Sequence, residues 1–470
     1  MALQFEVDSK SPLVAAMSQP WPMIDALVAG SGAMRAAGEQ FLPKFPSEHE
    51  DSYKARLKSA VLFPAFSRTT AVMAAKPFSR PMTIGDNTPA EVQDLFEDID
   101  RYRTDLQPFM AQVMVNCLQY GLMGVLVDSP KRGRGIKTKA QEKAAGIRPY
   151  LTQYTASSIL GWRVAEGGDG AILAQLRLLE VVKEDDGPWG QKEVRQVRVL
   201  EPGRWSVWRQ RTSSVGALEW FMFEEGRTSL KKVPFVFFYG IKAGFGVGKP
   251  PLLDLAYQNV EHWQSSSDQQ NILHVARVPI LFAKGFGDSD NLVVGAASAA
   301  RSTNKDSDLK FVEHSGAAIE AGRQSVLDLE DRMRQTGAEL LIQRPSVTTA
   351  TQISSDNEGN RSTLQQIAED FEESIEECLE LLGEFMGQKF DAEVELYKDF
   401  GSANLSEKSG DLLLRAADSD HVSPETVHTQ LKRMDIIPAD TKWEDEIPRI
   451  DAKRAARAKE QQAKSSPGPA

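Results

Sequence analysis

Between Ser362 and Gly387 the chain carries Leu364, Ile367, Phe371, Ile375, Cys378, Leu382 and Phe385, spaced 3, 4, 4, 3, 4 and 3 residues apart. Steps of three and four return to one side of an α-helix, so the spacing predicts a long helix with a sustained apolar seam. Ser362 with Gln365 matches a capping box and marks where that helix starts. The remaining faces carry Glu369, Asp370, Glu372, Glu373, Glu376, Glu377, Glu380 and Glu384, with no Lys or Arg between Glu369 and Glu384. Two readings fit. One is a solvated face opposite a packed seam, which explains most such helices. The other is a surface facing a moving polyanion, where fixed negative charge opposes phosphate adhesion. The residues taken alone favour the first.

The other long helical pattern begins at Pro250 and Pro251, which are tolerated in a first turn. It runs through LLDLAYQNVEHWQSSSDQQNILHV for about six turns and breaks at Ala276-Arg277-Val278-Pro279. ILFAKGF, LKFVEHSG and AAIEAG read as short strand or turn pieces around a polar loop, and a second long helix is expected from about Ala321 to Leu341. RPSVTTATQISSDNEGNRS has no helical period and reads as a loop.

Upstream, Tyr53, Leu57, Val61 and Leu62 share one helical face, with Pro64 ending or kinking that helix. AEVQDLFEDIDRYRTDLQPFMAQVMVNCLQYG suggests one or two amphipathic helices, and GLMGVLVDSP a strand followed by a turn. From Tyr150 to Gly240 short β-branched or aromatic runs alternate with DDGPWG, EPG and SSVG. This predicts an antiparallel sheet of modest size with Trp162, Trp189, Trp205, Trp208 and Trp220 in its core or on its faces. Residues 405–450 read as a small helical unit with a Ser-Pro-Glu-Thr cap. The tail from Lys453 starts basic and ends in a composition typical of disorder.

At 470 residues the chain exceeds one ordinary core, so two to four domains are expected. No apolar run approaches the roughly 18 residues of a membrane span. MALQFEVDSKSPLVAAM lacks a basic region leading into an apolar one, so no secretory signal is expected. Cys117 and Cys378 are the only cysteines and fit neither a disulfide framework nor a zinc site. The net charge of -11 opposes a DNA-gripping protein, but not one past which DNA must move without sticking. The basic run KRGRGIKTK could touch nucleic acid or be a solvated loop.

Tests for chemistry are negative. GVGKPP fails as a phosphate loop, because Ala243 stands where a glycine is needed and Pro250 replaces the magnesium-binding hydroxyl. His262, Asp268 and His274 are six residues apart on a helix and point in three directions, unlike zinc ligands at i and i+4. No catalytic residue, metal ligand or cofactor is expected, and an enzyme is disfavoured.

The order of elements resembles the portal proteins of tailed bacteriophages, in particular a portal-like family first catalogued as a domain of unknown function. The segments that carry the resemblance are GSGAMRAAGEQFLPKFPSEHEDSYKARLKSA, RPYLTQYTASSILGWRV, VPFVFFYG with PPLLDLAYQNVEHWQSSSDQQNILHVARVPILF, MRQTGAELL and the helix from Ser362 to Gly387. They span roughly residues 20–390, and their co-linearity is more specific than any one of them. The family pattern before the third helix tends toward Thr-Ala-Thr-Glu, whereas here it reads Thr349-Ala350-Thr351-Gln352.

The resemblance implies an α+β portal fold: residues 1–250 a helical and β wing, 251–275 and 321–342 a two-helix stem, and 276–320 a small β-rich clip. Residues 343–362 would be a tunnel loop, 363–390 a long kinked or straight helix, 391–452 a helical crown, and 453–470 a basic, partly disordered tail. It implies a homo-oligomeric ring, usually a dodecamer, at the capsid portal vertex of the virion, assembled in the host cytoplasm. Double-stranded DNA would pass through its channel. The partners would be the terminase large subunit, the head-tail adaptor, and the major capsid and scaffolding proteins, without a membrane. Channel-facing candidates are Thr349, Thr351, Gln352, Asn357, Arg361, Glu369, Glu372, Glu373, Glu376 and Glu377. Clip candidates for partner contact are Lys284, Asp288, Asp290, Lys305 and Lys310. Replacing Glu372, Glu373, Glu376 and Glu377 with lysine is then expected to impair packaging and spare ring assembly. The competing readings are another oligomeric capsid or head-completion protein without a channel, and an enzyme with a dispersed site.

Overall fold

A computed structural model describes residues 6–130, 144–167, 170–212, 218–228, 230–276, 280–285, 308–312, 316–341, 361–400 and 423–433, with a few further positions. The chain forms two compact units, Met1–Leu396 and Tyr397–Ala470. The first mixes helices and antiparallel sheets, an α+β arrangement.

The N-terminal helices are Pro12–Met17 (α1), Trp21–Ala29 (α2), Ser31–Ala37 (α3), Glu50–Ser59 (α4) and Ala65–Ala75 (α5). The helix expected to carry Tyr53, Leu57, Val61 and Leu62 on one face stops at Ser59, and Val61 is 56% exposed. Pro64 disfavours helical backbone before it, so the chain crosses to α5 in extended form. The buried neighbour of Tyr53 in α4 is Arg56, not Leu57. The crossing is held by a side chain from far along the chain. Asn259 accepts the Phe66 amide at 2.9 Å and donates to the Phe63 carbonyl at 2.8 Å, satisfying both groups that the break exposes.

After β1 (Thr83–Ile84), α6 (Ala90–Gln93) and α7 (Leu106–Tyr120), Gly121 adopts a left-handed conformation and starts β2 (Leu122–Asp128). β2 is nearly all apolar and lies between two strands, β3 (Tyr150–Thr155) and β9 (Phe235–Tyr239). The intervening chain forms β4 (Ile159–Gly167), β5 (Gly170–Asp186), β6 (Gly190–Glu201), β7 (Arg204–Thr212) and β8 (Leu218–Arg227), a five-stranded antiparallel meander. The single sheet expected over Tyr150–Gly240 is therefore two. β9 leaves the meander and returns to β2, a non-local pairing that alternation alone does not encode. Trp162, Trp205, Trp208 and Trp220 are half-buried, but Trp189 is 97% exposed in the β5–β6 turn, which corrects its placement in the core or on a sheet face.

The Gly-Lys pair near residue 248 is architecture. β10 (Ile241–Gly244) and β11 (Val247–Lys249) form a hairpin whose Gly248 lies against Gly121. A Cβ at Gly248 would stand 1.9 Å from the Gly121 carbonyl oxygen, which already accepts the Gly240 amide at 2.9 Å. Gly248→Ala is expected to cost about 1–3 kcal/mol through forced backbone movement, read as a fall in the unfolding midpoint; an unchanged midpoint contradicts the close approach.

Two long helices follow. α8 (Leu253–Ala276) begins just after Pro250 and Pro251, and α9 (Gly316–Ala338) begins at Gly316 rather than Ala321. AAIEAG is thus helix, not strand or turn. Ala and Glu favour helix, and Gly322 is tolerated because the Gln269 side chain of α8 occupies the space a Cβ would need. The helices run antiparallel, since Gln258 meets Thr336 at 3.1 Å, His262 meets Glu330 at 3.3 Å and Gln269 meets the Ile319 carbonyl at 2.9 Å. At 1.5 Å per residue each spans roughly 35 Å. Between them β12 (Ile280–Lys284) pairs with β13 (Asp308–Val312).

α10 (Thr363–Met386) starts at the expected capping box, with Ser362 and Gln365 each closing the other's free backbone group. Leu364, Ile367, Phe371, Ile375, Cys378 and Leu382 are buried and Phe385 is half-buried. The seam packs on β9, with the Phe371 and Phe238 rings 4.7 Å apart. Cys117 and Cys378 are both buried free thiols. β14 (Val394–Glu395) pairs with β1 near the end of this unit.

In the second unit the described residues include α11 (Pro424–Arg433), capped where expected by Ser423, whose Oγ accepts the Thr426 amide at 3.1 Å. His428 is buried and its ring lies 5.4 Å from that of Trp443. The first helix expected in residues 405–422, the basic run KRGRGIKTK and the tail from Lys453 lie outside the described residues.

Candidate functional site

The acidic side of α10 separates into three sets. Glu372, Glu376 and Glu380 stand at i, i+4 and i+8, one above another on the helix. Their Oε1 atoms accept the backbone amides of Leu396 at 2.6 Å, Val394 at 2.8 Å and Ala392 at 3.3 Å. The match is metric. Four helical residues rise about 6 Å, and two residues of extended chain advance about 6.6 Å with their amides on the same side. A ladder of carboxylates therefore holds an extended segment whose residues Ala392, Val394 and Leu396 are themselves buried.

A second set is ion-paired. Glu369 receives Arg361 at 2.6 Å, and Glu384 receives Lys232 at 3.5 Å. The third set, Asp370, Glu373 and Glu377, lies at i, i+3 and i+7 on one exposed face and has no ion pair or hydrogen bond through its carboxylates among the described residues. Although exposed, Asp370 and Glu377 sit where the surrounding protein strips hydration. That loss pushes both carboxyls above their ordinary range, with Lys242 opposing it for Asp370 and Lys232 and Lys242 for Glu377.

The other sequence-derived candidates are not gathered here. Arg361 lies one residue before the helix cap, in the Glu369 pair. Lys284 is exposed at the end of β12 opposite Asp308, and Lys310 lies in β13 opposite Phe282. Thr349, Thr351, Gln352, Asn357, Asp288, Asp290 and Lys305 fall outside the described residues. His262 is buried against Glu330, Asp268 faces Arg56, and His274 is exposed, so the three do point apart. Among the described residues no cluster of His, Cys, Asp or Glu could hold a metal ion, and no helix is long and apolar enough to cross a membrane.

Spacing alone missed the division of labour among the glutamates. The partners of Glu372, Glu376 and Glu380 are backbone amides, which carry no side-chain signature. Only the i, i+4, i+8 period hinted at a ladder. The pairing of Glu384 with Lys232 joins residues far apart in the chain and left no local trace.

Residues 251–386, from just before α8 to the end of α10, match the model of a family described as a domain of unknown function (DUF4055). No curated protein matches the chain. Among solved structures it is similar to a chain in the virion of a native gene transfer agent (GTA) particle, at 14% identity and a TM-score of 0.39, covering 86% of this chain and 98% of that one. It is also similar to a chain in the neck of an empty GTA particle computed with C6 symmetry, at 13% identity, TM-score 0.42, and the same coverage of 86% and 98%. A third similarity is to a chain in the neck of a native GTA particle computed with C12 symmetry, at 13% identity, TM-score 0.38, covering 77% of this chain and 88% of that one.

Proposed function

We propose that the chain is the subunit of a portal ring at one vertex of a capsid, a conduit for double-stranded DNA during packaging and ejection and the platform on which terminase and a head-tail adaptor dock. The observation that carries this reading is the antiparallel pair α8 and α9 with the β12–β13 hairpin between them. That is the stem–clip–stem order the sequence resemblance implies, and it lies inside the segment matched by the family model. On this reading the chain has no catalytic turnover of its own, and it resides in the virion after assembly in the host cytoplasm.

The Asp370, Glu373 and Glu377 face suits a surface past which a polyanion moves, because fixed charge repels phosphate without offering a site to bind. The fourfold lysine replacement suggested by spacing is not a clean test of that role, since Glu372 and Glu376 hold backbone amides. The clean variant is Glu373→Lys with Glu377→Lys. It is expected to leave folding and assembly unchanged and to lower packaged DNA several-fold, measured as DNA per particle. Undiminished packaging would remove the channel role of this face.

The function itself is tested by assembling particles with and without the chain. The conduit reading expects empty heads in its absence and DNA-filled heads on complementation. Filled heads without the chain would contradict it.

A further inference from the structure

The five-stranded sheet carries two features that fit each other but not within one molecule. The first is the β5–β6 turn. Gly187 adopts a left-handed conformation there, and Trp189 stands almost wholly in water. Asp185 and Asp186 beside it are exposed and without ion pairs among the described residues. A large indole held out at a hairpin tip is unusual on a soluble surface, and tryptophan is the residue most enriched among interface anchors.

The second is a hollow of about 960 Å³ on one face of the same sheet, bounded by the N-terminal stretch from Glu6 to Pro12. Trp162, Trp208 and Trp220 line it, with Arg163 and Arg177. The indole Nε1–H of Trp220 is buried with no acceptor among the described residues. Arg163 is exposed and has no ion-pair partner among the described residues. Burial, and then the nearby Arg163 charge, push the Arg177 guanidinium below its ordinary range, with Asp8 opposing them. Its Nη1 donates to the Val7 carbonyl at 2.8 Å. Of the acids lining the hollow, Glu201 receives Gln175 and Glu219 receives Arg211, while Glu6 is exposed. Two neighbouring guanidiniums facing an aromatic floor call for an incoming carboxylate carried beside an aromatic ring.

Arg177 and Asp186 lie nine residues apart on the single strand β5, a separation of about 30 Å in extended chain. The tip cannot fold back into its own hollow. We propose that the tip of one copy docks in the hollow of the next, with Trp189 seated among the tryptophans and Asp185 and Asp186 opposite Arg163 and Arg177. The two surfaces differ, so the contact is head-to-tail and propagates from copy to copy into a closed ring or an open chain. The proposal shares with the portal reading only the premise that the chain self-assembles.

The test uses the full chain and follows assembly against concentration by sedimentation velocity. Trp189→Ala removes an exposed side chain, so the fold is expected to keep its unfolding midpoint. Each contact should weaken at least about 30-fold, the equivalent of an interface anchor. Asp186→Arg should weaken assembly as well, and adding Arg163→Glu should restore it. Asp186→Cys combined with Arg163→Cys should give an oxidised ladder extending beyond dimers. Unaltered rings from Trp189→Ala overturn the tip contact and leave the portal reading standing. A wild-type chain that never self-associates overturns both. Self-association without a tip effect, but with loss of incorporation into particles, assigns Trp189 to a different partner and likewise overturns the proposal.

Discussion

Arg56→Ala should lower stability by about 3–5 kcal/mol, the range for removing one partner of a buried ion pair. Arg56 is buried, and each of its three guanidinium nitrogens donates a hydrogen bond. Nε and Nη2 donate to the two oxygens of Glu48, each at 2.8 Å, Nη2 also reaches the Pro43 carbonyl at 2.8 Å, and Nη1 reaches Asp268 of α8 at 3.2 Å. The Phe45 ring lies 4.4 Å from its carbon centre. Without it the buried Glu48 carboxylate loses its ion pair and keeps the Phe45 amide at 3.2 Å, and α4 loses its ion pair to α8. The pH dependence has a definite sign. The hydrogen bonds from Arg56 hold the Glu48 carboxyl below its usual 4.5. Its contribution is therefore present at neutral pH and lost as pH falls through that lowered value. The gap between wild type and variant should narrow below about pH 4, because protonated Glu48 no longer needs the arginine. Denaturant unfolding at neutral and acid pH measures both; a gap of less than about 1 kcal/mol at pH 7 would show the pair to be unimportant.

The double replacement Glu372→Ala with Glu376→Ala should cost about 3–6 kcal/mol, taking about 1.5–3 kcal/mol for each hydrogen bond from an amide to a charged acceptor. The amides of Leu396 and Val394 would be left without their carboxylates in a buried setting. The strand pair β1–β14 should loosen with them, so amide exchange at Val394 and Leu396 should accelerate before global unfolding. Glu373→Ala with Glu377→Ala serves as the control of equal charge change and should stay within about 0.5 kcal/mol of wild type. Equal effects from the two pairs would mean that net charge, and not the ladder, accounts for the loss.

These cases show what the sequence carries and what it hides. α10 was legible because one period ran through the whole segment and Ser362 with Gln365 closed its start. The strand at Leu122–Asp128 was legible from its unbroken apolar run. The helix expected from Ala321 starts five residues earlier, at Gly316, because AAIEAG reads as a short strand or turn piece by itself, and its packing beside Gln269 of α8 leaves no local trace. Arg56 and Asp268 are separated by 212 residues, and Asn259 meets Phe63 and Phe66 across a comparable span. Polar groups buried by such distant partners look like surface in a linear reading. Trp189 failed for the opposite reason, since a large aromatic in a strand-rich region is assigned to the core by default. Of the charged candidates on α10, two proved to hold backbone amides, one to be ion-paired, and Glu373 and Glu377 to stand open beside Asp370.

Electron microscopy of the purified full-length chain, read for rotational symmetry and for a central opening, tests the portal account most directly. The account predicts closed rings with a through-channel wide enough for duplex DNA, formed by the wild-type chain at high concentration. A compact closed oligomer without an opening would contradict it and leave a capsid component that conducts nothing.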